Sequence, residues 1–148
     1  MKYYYYIITP LLFLLLGCKQ NDSINTGGFT DHTGLVIYLE WSLPNSTNDP
    51  IDAVNLDLSL LYNNFVYEES RNDFSFEKLK LRSTEPDGTY YIDIRYLSGS
   101  EALQYDLVIE GESSFRKILL SGELFINDVG GTYQVLRIQK QGNDFVLN

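Results

Sequence analysis

Hydrophobic and polar residues alternate along most of the chain after residue 34. Every second residue is apolar in LVIYLEWSL (35–43), and the same period recurs in 54–60, 89–97 and 103–109. A period of two puts one set of side chains on each face of an extended segment, which is the pattern of a half-buried β-strand. Shorter strands are predicted at 65–68, 74–76, 78–82, 118–125, 133–139 and 144–147.

Turn-forming residues separate these segments, and no stretch has the 3.6-residue period of an amphipathic helix. Many short strands joined by turns predict an all-β fold, a jelly-roll-like antiparallel β-sandwich of eight or nine strands over residues 34–148. Trp41 falls on an apolar strand face and is expected in the core, and Gly88 is expected to supply a backbone angle that its turn needs. The turns are predicted at 44–50, 63–64, 86–88, 98–100 and 142–143.

The first residues have a different pattern, an apolar run from Tyr3 to Leu16 that follows Lys2. At about 14 residues this run is shorter than the roughly 20 that a membrane-spanning helix needs, and it has the layout of a secretory signal. Its end, Leu15-Leu16-Gly17-Cys18, resembles the lipobox of bacterial lipoproteins. The resemblance implies that residues 1–17 are a signal peptide, that cleavage precedes Cys18, and that Cys18 carries a covalent lipid.

Cys18 is the only cysteine, so no disulfide can form within the chain. Residues 18–33 are polar and contain glycine, which predicts a flexible tether. The residue after Cys18 is lysine and not the aspartate that retains lipoproteins at the inner membrane, which favours the outer membrane. The sequence does not decide between its periplasmic face and its surface-exposed face. Asp22-Ser23-Ile24 resembles the O-glycosylation motif of Bacteroidota.

Composition limits the kinds of partner. Removing 17 of the 148 residues leaves 131, enough for one domain with a sizeable core. Loss of Lys2 takes the formal net charge from −9 to −10. Such an acidic chain is not expected to bind nucleic acid, whose phosphates need basic surfaces.

The middle of the chain contains four segments in a recognisable order. They are a strand with Trp41, then Asn55-Leu56-Asp57-Leu58, Gly88-Thr89-Tyr90-Tyr91 and Tyr105-Asp106-Leu107-Val108-Ile109. This order resembles the bacterial pre-peptidase C-terminal domain. The likeness covers residues 34–111 and implies a β-sandwich that accompanies secreted proteases without being their catalytic part. Similar sandwiches occur in lipoproteins and adhesins.

The predicted domain lacks the residues that several kinds of active site require. The only histidine, His32, falls in the predicted tether, and the only cysteine is assigned to the lipid, so Ser-His-Asp, Cys-His and zinc sites are not expected. No phosphate-binding glycine loop occurs. We therefore expect no enzyme activity and no cofactor besides the lipid. No metal is expected either, although Asp49, Asp52 and Asp57 have the oxygen ligands that calcium would use.

Two functions remain open. The first is a non-catalytic binding or adhesion module at the cell envelope, which contacts a glycan or an envelope protein through Tyr38 and Tyr91 on the polar strand faces. The second is a structural accessory subunit of an envelope, secretion or transport complex. That subunit would pair with a neighbour at the acidic segment 48–57 or along the last strand, 144–147.

Overall fold

The computed structural model describes residues 27–44, 46–72 and 74–148, so the predicted signal segment and Cys18 lie outside it. Within these ranges the chain forms ten β-strands, a four-residue helix α1 (Pro50–Ala53) and a 3₁₀ turn (Ile126–Asp128). None of the helices described is long and apolar enough to cross a membrane. The strands are β1 (Gly28–Thr30), β2 (Gly34–Ser42), β3 (Val54–Tyr62), β4 (Phe65–Ser70), β5 (Phe76–Arg82), β6 (Gly88–Gly99), β7 (Leu103–Gly111), β8 (Lys117–Leu124), β9 (Thr132–Gln141) and β10 (Asp144–Leu147).

The strands form two antiparallel sheets with one hydrophobic core between them. One sheet has six strands in the order β1-β10-β9-β6-β3-β4, and the other has four in the order β5-β2-β7-β8. The predicted all-β sandwich is confirmed, with ten strands where eight or nine were expected. Only the hairpins β3–β4, β7–β8 and β9–β10 join neighbours in a sheet, and every other connection between strands crosses to the opposite sheet.

The alternation seen in the sequence determines which side chains form the core. Leucine, isoleucine and aromatic side chains on the inner faces of both sheets are buried, and Trp41 is among them as predicted. Removing this apolar surface from water is the main favourable term in folding. The opposite face of each strand bears mostly polar side chains and forms the outside of the sandwich.

The domain begins earlier than the alternation indicated. Residues 28–30, assigned above to the tether, form β1 and pair with β10, and Phe29 is buried in the core. The strand has only three residues and one inward apolar side chain, so no period of two could reveal it. The predicted tether therefore does not extend to residue 33, because residues 28–30 belong to the six-stranded sheet.

Two turns show how local sequence sets strand pairing. Asn63 and Asn64 have φ angles of 52° and 64°, the left-handed pair that closes a two-residue hairpin between β3 and β4. Gly88 has φ 147°, and a Cβ there would lie 2.8 Å from the ring of Tyr62. The predicted role of Gly88 is confirmed, since both the angle and the space exclude a side chain.

Glu77 is a charged side chain buried on the inner face of β5. Ser70 Oγ donates a hydrogen bond to it, as do the backbone N–H of Asn72 at 2.7 Å and Asn72 Nδ2 at 2.9 Å. Burial raises the pKa of Glu77 above its usual value despite these bonds. The native state therefore holds this proton more tightly than the unfolded chain does.

This burial predicts a pH-dependent contribution to stability. Because the native pKa is the higher one, Glu77 lowers the free energy of unfolding as pH rises from its unfolded pKa, about 4.3, through its native pKa. At each pH, the melting temperature of Glu77→Gln is compared with that of wild type. We expect this difference to be more favourable to the variant at pH 7 than at pH 4. Glu68→Gln on β4 is the control. An equal change in melting temperature at both pH values would contradict this assignment.

Candidate functional site

The outer face of the four-stranded sheet contains an open polar trough. It has a volume of about 470 Å³ and crosses β2, β7 and β8 near one end of the sheet. Alternation along the strands directs six polar side chains into it, and the backbone of the intervening residues forms its floor. The six are Glu40, Ser42, Gln104, Asp106, Ser121 and Glu123.

Strand register sets these side chains in two rows across the sheet. Ser42, Gln104 and Glu123 form one row, and Glu40, Asp106 and Ser121 form the next. Gln104 Nε2 donates to Glu123 Oε1 at 3.0 Å, and Ser121 Oγ donates to Asp106 Oδ1 at 2.5 Å. The rows therefore present amide, hydroxyl and carboxylate groups side by side.

Glu40 and Asp106 lie directly opposite each other on β2 and β7. Like charges in this position destabilise a sheet. No hydrogen bond or ion pair within the described residues holds the Glu40 carboxylate, so all its acceptor sites are open to a ligand. Local choices that cost stability are expected mainly at functional sites. The pair therefore marks the trough as a candidate binding site.

An aromatic platform borders the trough on the β5 side. Phe76 is the cross-strand neighbour of Glu40, and its side chain is 45% exposed. Its ring stacks on that of Phe74, with 5.9 Å between ring centroids and 15° between planes. Exposure of two phenylalanine rings to water is unfavourable for this chain by itself. Exposed apolar groups of this kind beside a polar trough are typical of a contact surface.

Tyr38 extends the same face by one row. It lines a second cavity of about 280 Å³ together with Glu40 and Val108, and Lys78 Nζ lies 5.0 Å from its ring centroid. Residues on one face of a strand repeat about every 7 Å, so the surface from the row of Ser42 to that of Tyr38 is about 14 Å long. That length suits a ligand of more than one ring.

Tyr91 does not belong to this surface. It lies on the outer face of the six-stranded sheet, between Leu61 on β3 and Arg137 on β9. Since the two sheets pack through their inner faces, Tyr38 and Tyr91 point to opposite sides of the sandwich. The structure therefore does not bring the two predicted contact residues together.

The three aspartates that could bind calcium have different structural roles. Asp49 caps α1 by accepting from the N–H of Ile51 at 3.0 Å, and Asp52 is exposed within that helix. Asp57 is buried on β3, where Arg71 Nε lies 3.9 Å from its Oδ2. Burial raises the pKa of Asp57, opposed by the charge of Arg71. Among the residues described, no three His, Cys, Asp or Glu side chains are grouped closely enough to hold a metal ion.

Two further predictions have different outcomes. His32, placed in the tether by the sequence, lies next to β1, and its Nδ1 is 2.9 Å from Asn143 Nδ2. Cys18 lies outside the described residues, so its lipidation stays a prediction.

Comparison of the chain with family models, with curated proteins and with solved structures found no match. The likeness to pre-peptidase C-terminal domains therefore also stays a prediction.

Proposed function

We propose that this chain is a non-catalytic glycan-binding module, displayed from a membrane by a lipid on Cys18. The observation that carries the proposal is the row of Phe76, Glu40 and Asp106 at the edge of the polar trough. It combines an exposed aromatic ring with unneutralised acceptors on one rigid sheet face.

The exposed aromatic ring and the acceptors complement the two kinds of group on a sugar. One side of a pyranose ring presents C–H groups that pack on an aromatic ring, and its edge presents hydroxyls that donate to carboxylates and amides. Glu40, Asp106 and Gln104 supply acceptors beside Phe76, and hydrogen bonds to charged groups contribute about 1.5–3 kcal/mol each. A sheet holds these groups in fixed positions, which lowers the entropy cost of binding.

The charge in the trough indicates which glycans fit. Three of its six side chains are carboxylates, and neither a lysine nor an arginine is among the six. Uronic acids, sialic acids and sulfated sugars would meet like charge there. We therefore assign neutral oligosaccharides as the ligand class.

The sequence supports the placement of this site outside the cytoplasm. The apolar segment before Leu15-Leu16-Gly17-Cys18 has the layout of a lipoprotein signal, and envelope or environmental glycans occur where such a protein would be displayed. The likeness to a domain that accompanies secreted proteases without catalysing their reaction agrees with a binding role.

A glycan array tests the proposal. The full chain, purified in detergent, should bind neutral oligosaccharides and leave acidic ones unbound. A profile without any bound glycan would contradict the glycan-binding role, and a preference for acidic glycans would contradict the ligand class. Release of new reducing ends from the bound sugar would contradict the non-catalytic assignment, because Glu40 and Asp106 would then be acting as a hydrolytic pair.

A further inference from the structure

β8 is an edge strand without the usual protection against pairing. It ends the four-stranded sheet, runs for eight residues and pairs with β7 without a register shift. Edge strands are normally shortened, bulged or charged along their length. The other edges show these devices: β1 has three residues, β4 has a register shift, and β5 alternates Lys78, Lys80 and Arg82. β8 has no charge from 118 to 122, and Leu119 is 59% exposed.

The backbone groups that β8 leaves unpaired can be identified from its hairpin. The N–H of Gly111 donates to the carbonyl of Arg116 at 2.9 Å, so this pair is hydrogen-bonded across β7 and β8. Hydrogen-bonded and non-hydrogen-bonded pairs alternate along an antiparallel ladder. Even-numbered residues of β8 therefore bond to β7. The N–H and C=O groups of Lys117, Leu119, Ser121 and Glu123 point away from the sheet.

The β2–β7 pairing independently supports this assignment. The N–H of Glu112 donates to the carbonyl of Gly34 at 2.9 Å, which directs even-numbered residues of β7 toward β2. The odd-numbered residues of β7 are then the ones that face β8, in agreement with the bond at Gly111. The free edge of β8 is thus a row of four donor and four acceptor groups on alternate residues.

We propose that β8 pairs antiparallel with β8 of a second copy of this chain, with Lys117 opposite Glu123 of that copy. In this register the odd-numbered residues face each other, so all four free residues of each strand form hydrogen-bonded pairs with two bonds per pair. Leu120 lies on the two-fold axis opposite its own equivalent. Such an isologous contact closes on itself as a dimer.

Side-chain charge and size agree with the same register. Lys117 and Glu123 form two opposite-charge pairs, one at each end of the paired strands. Ile118 lies opposite Gly122, and Leu119 lies opposite Ser121, so a large side chain meets a small one on either side of the central Leu120 pair. A shift of two residues in either direction would separate the charges.

The ends of the strand add a second observation. Phe115 in the β7–β8 turn is 74% exposed, and Phe125 directly after β8 is 55% exposed. Antiparallel pairing places the start of β8 in one copy beside the end of β8 in the other. Phe115 of one copy and Phe125 of the other, which lie apart on one chain, would thus be at the same end of the dimer contact.

The dimer would join two four-stranded sheets into one continuous sheet. Lys117 and Glu123 share the outer face with the polar trough, so both troughs would open on the same side. A glycan chain could then engage two sites at once, which raises the apparent affinity without a new contact. The dimer itself does not depend on glycan binding.

Charge reversal tests the register. Light scattering on the full chain in detergent, corrected for bound detergent, should give the mass of a dimer. Lys117→Glu should weaken dimerisation on the order of tenfold or more, and the double variant Lys117→Glu/Glu123→Lys should restore it. Within its own chain Lys117 pairs with Glu110 at 3.1 Å. Lys80→Glu is the matched control, because Lys80 likewise pairs with Glu112 at 2.5 Å but lies on β5.

A second variant removes a backbone donor without changing charge. Ser121→Pro deletes an N–H that points away from β7, so the monomer should keep its fold while the dimer is lost. A monomeric wild type, a double variant that stays monomeric, or a folded Ser121→Pro dimer would each overturn the proposal. Capture of a strand from another protein by a monomeric wild type would overturn it in favour of a different partner.

Discussion

Asp31→Ala should lower the free energy of unfolding by about 3–5 kcal/mol, a large share of the roughly 5–15 kcal/mol that holds such domains together. Asp31 is buried, and its carboxylate accepts hydrogen bonds from two turns of the chain. Three of the five bonds come from the turn between β7 and β8. The donors are the N–H groups of Thr33 (3.0 Å), Gly34 (2.9 Å), Ser113 (3.0 Å) and Ser114 (2.8 Å), and Ser113 Oγ (2.9 Å).

Truncation removes the acceptor and leaves these donors without a partner. Each unsatisfied buried group costs about 1–3 kcal/mol, and bonds to a charged acceptor are the stronger kind. Asp31→Asn keeps one carbonyl oxygen and should cost less than Asp31→Ala. Asp144→Ala is the control, since that exposed carboxylate accepts a single side-chain bond, from Thr30 Oγ1 at 2.7 Å. Urea unfolding gives the free energies, and a loss below about 1 kcal/mol for Asp31→Ala would contradict the account.

The same bonds give the effect a defined pH range. Burial alone would raise the pKa of Asp31, but the hydrogen bonds from Gly34, Ser114 and Ser113 outweigh it and hold the pKa well below its usual value. A depressed native pKa means that the contribution is complete at neutral pH and is lost as pH falls below about 4. The difference between wild type and Asp31→Ala should therefore shrink only in acid.

Cys18→Ala should release the protein from the membrane fraction and abolish its labelling by a radioactive fatty acid. Each buried methylene of a lipid chain contributes about 0.8 kcal/mol, and two or more chains anchor a protein stably where one does not. No helix of the described residues could replace that anchor. Ser23→Ala, five residues further on, is the control and should stay membrane-bound and labelled. Label retained by Cys18→Ala would refute the lipoprotein assignment.

The fold could be predicted where each strand contains its own evidence. Alternation in β2, β3, β6 and β7 and the turn at Asn63-Asn64 are local signals, and they were enough for an all-β sandwich. β1 was missed because its burial depends on β10, which lies more than a hundred residues away. The last strand was expected to be free for pairing, yet it lies between β1 and β9, since strand order depends on crossovers that no local pattern records.

The candidate site shows the same limit at the level of side chains. Alternation puts Glu40 on a polar face, but only the register reveals that Asp106 and Phe76 flank it. The pattern likewise treats Tyr38 and Tyr91 as equivalent, whereas they belong to different sheets. Position along a strand can be inferred from a short window, but neighbours across strands are set by the whole chain.

The most direct test of the glycan-binding face is a titration that compares the affinities of wild type and Phe76→Ala for an oligosaccharide bound on the array. Loss of an exposed aromatic anchor should cost about 2 kcal/mol, a weakening of roughly 30-fold, with the melting temperature little changed. Phe65→Ala removes a still more exposed ring, from β4 of the other sheet, and should bind as wild type does. Equal affinity for wild type and Phe76→Ala, or a loss of the same size in Phe65→Ala, would contradict the account.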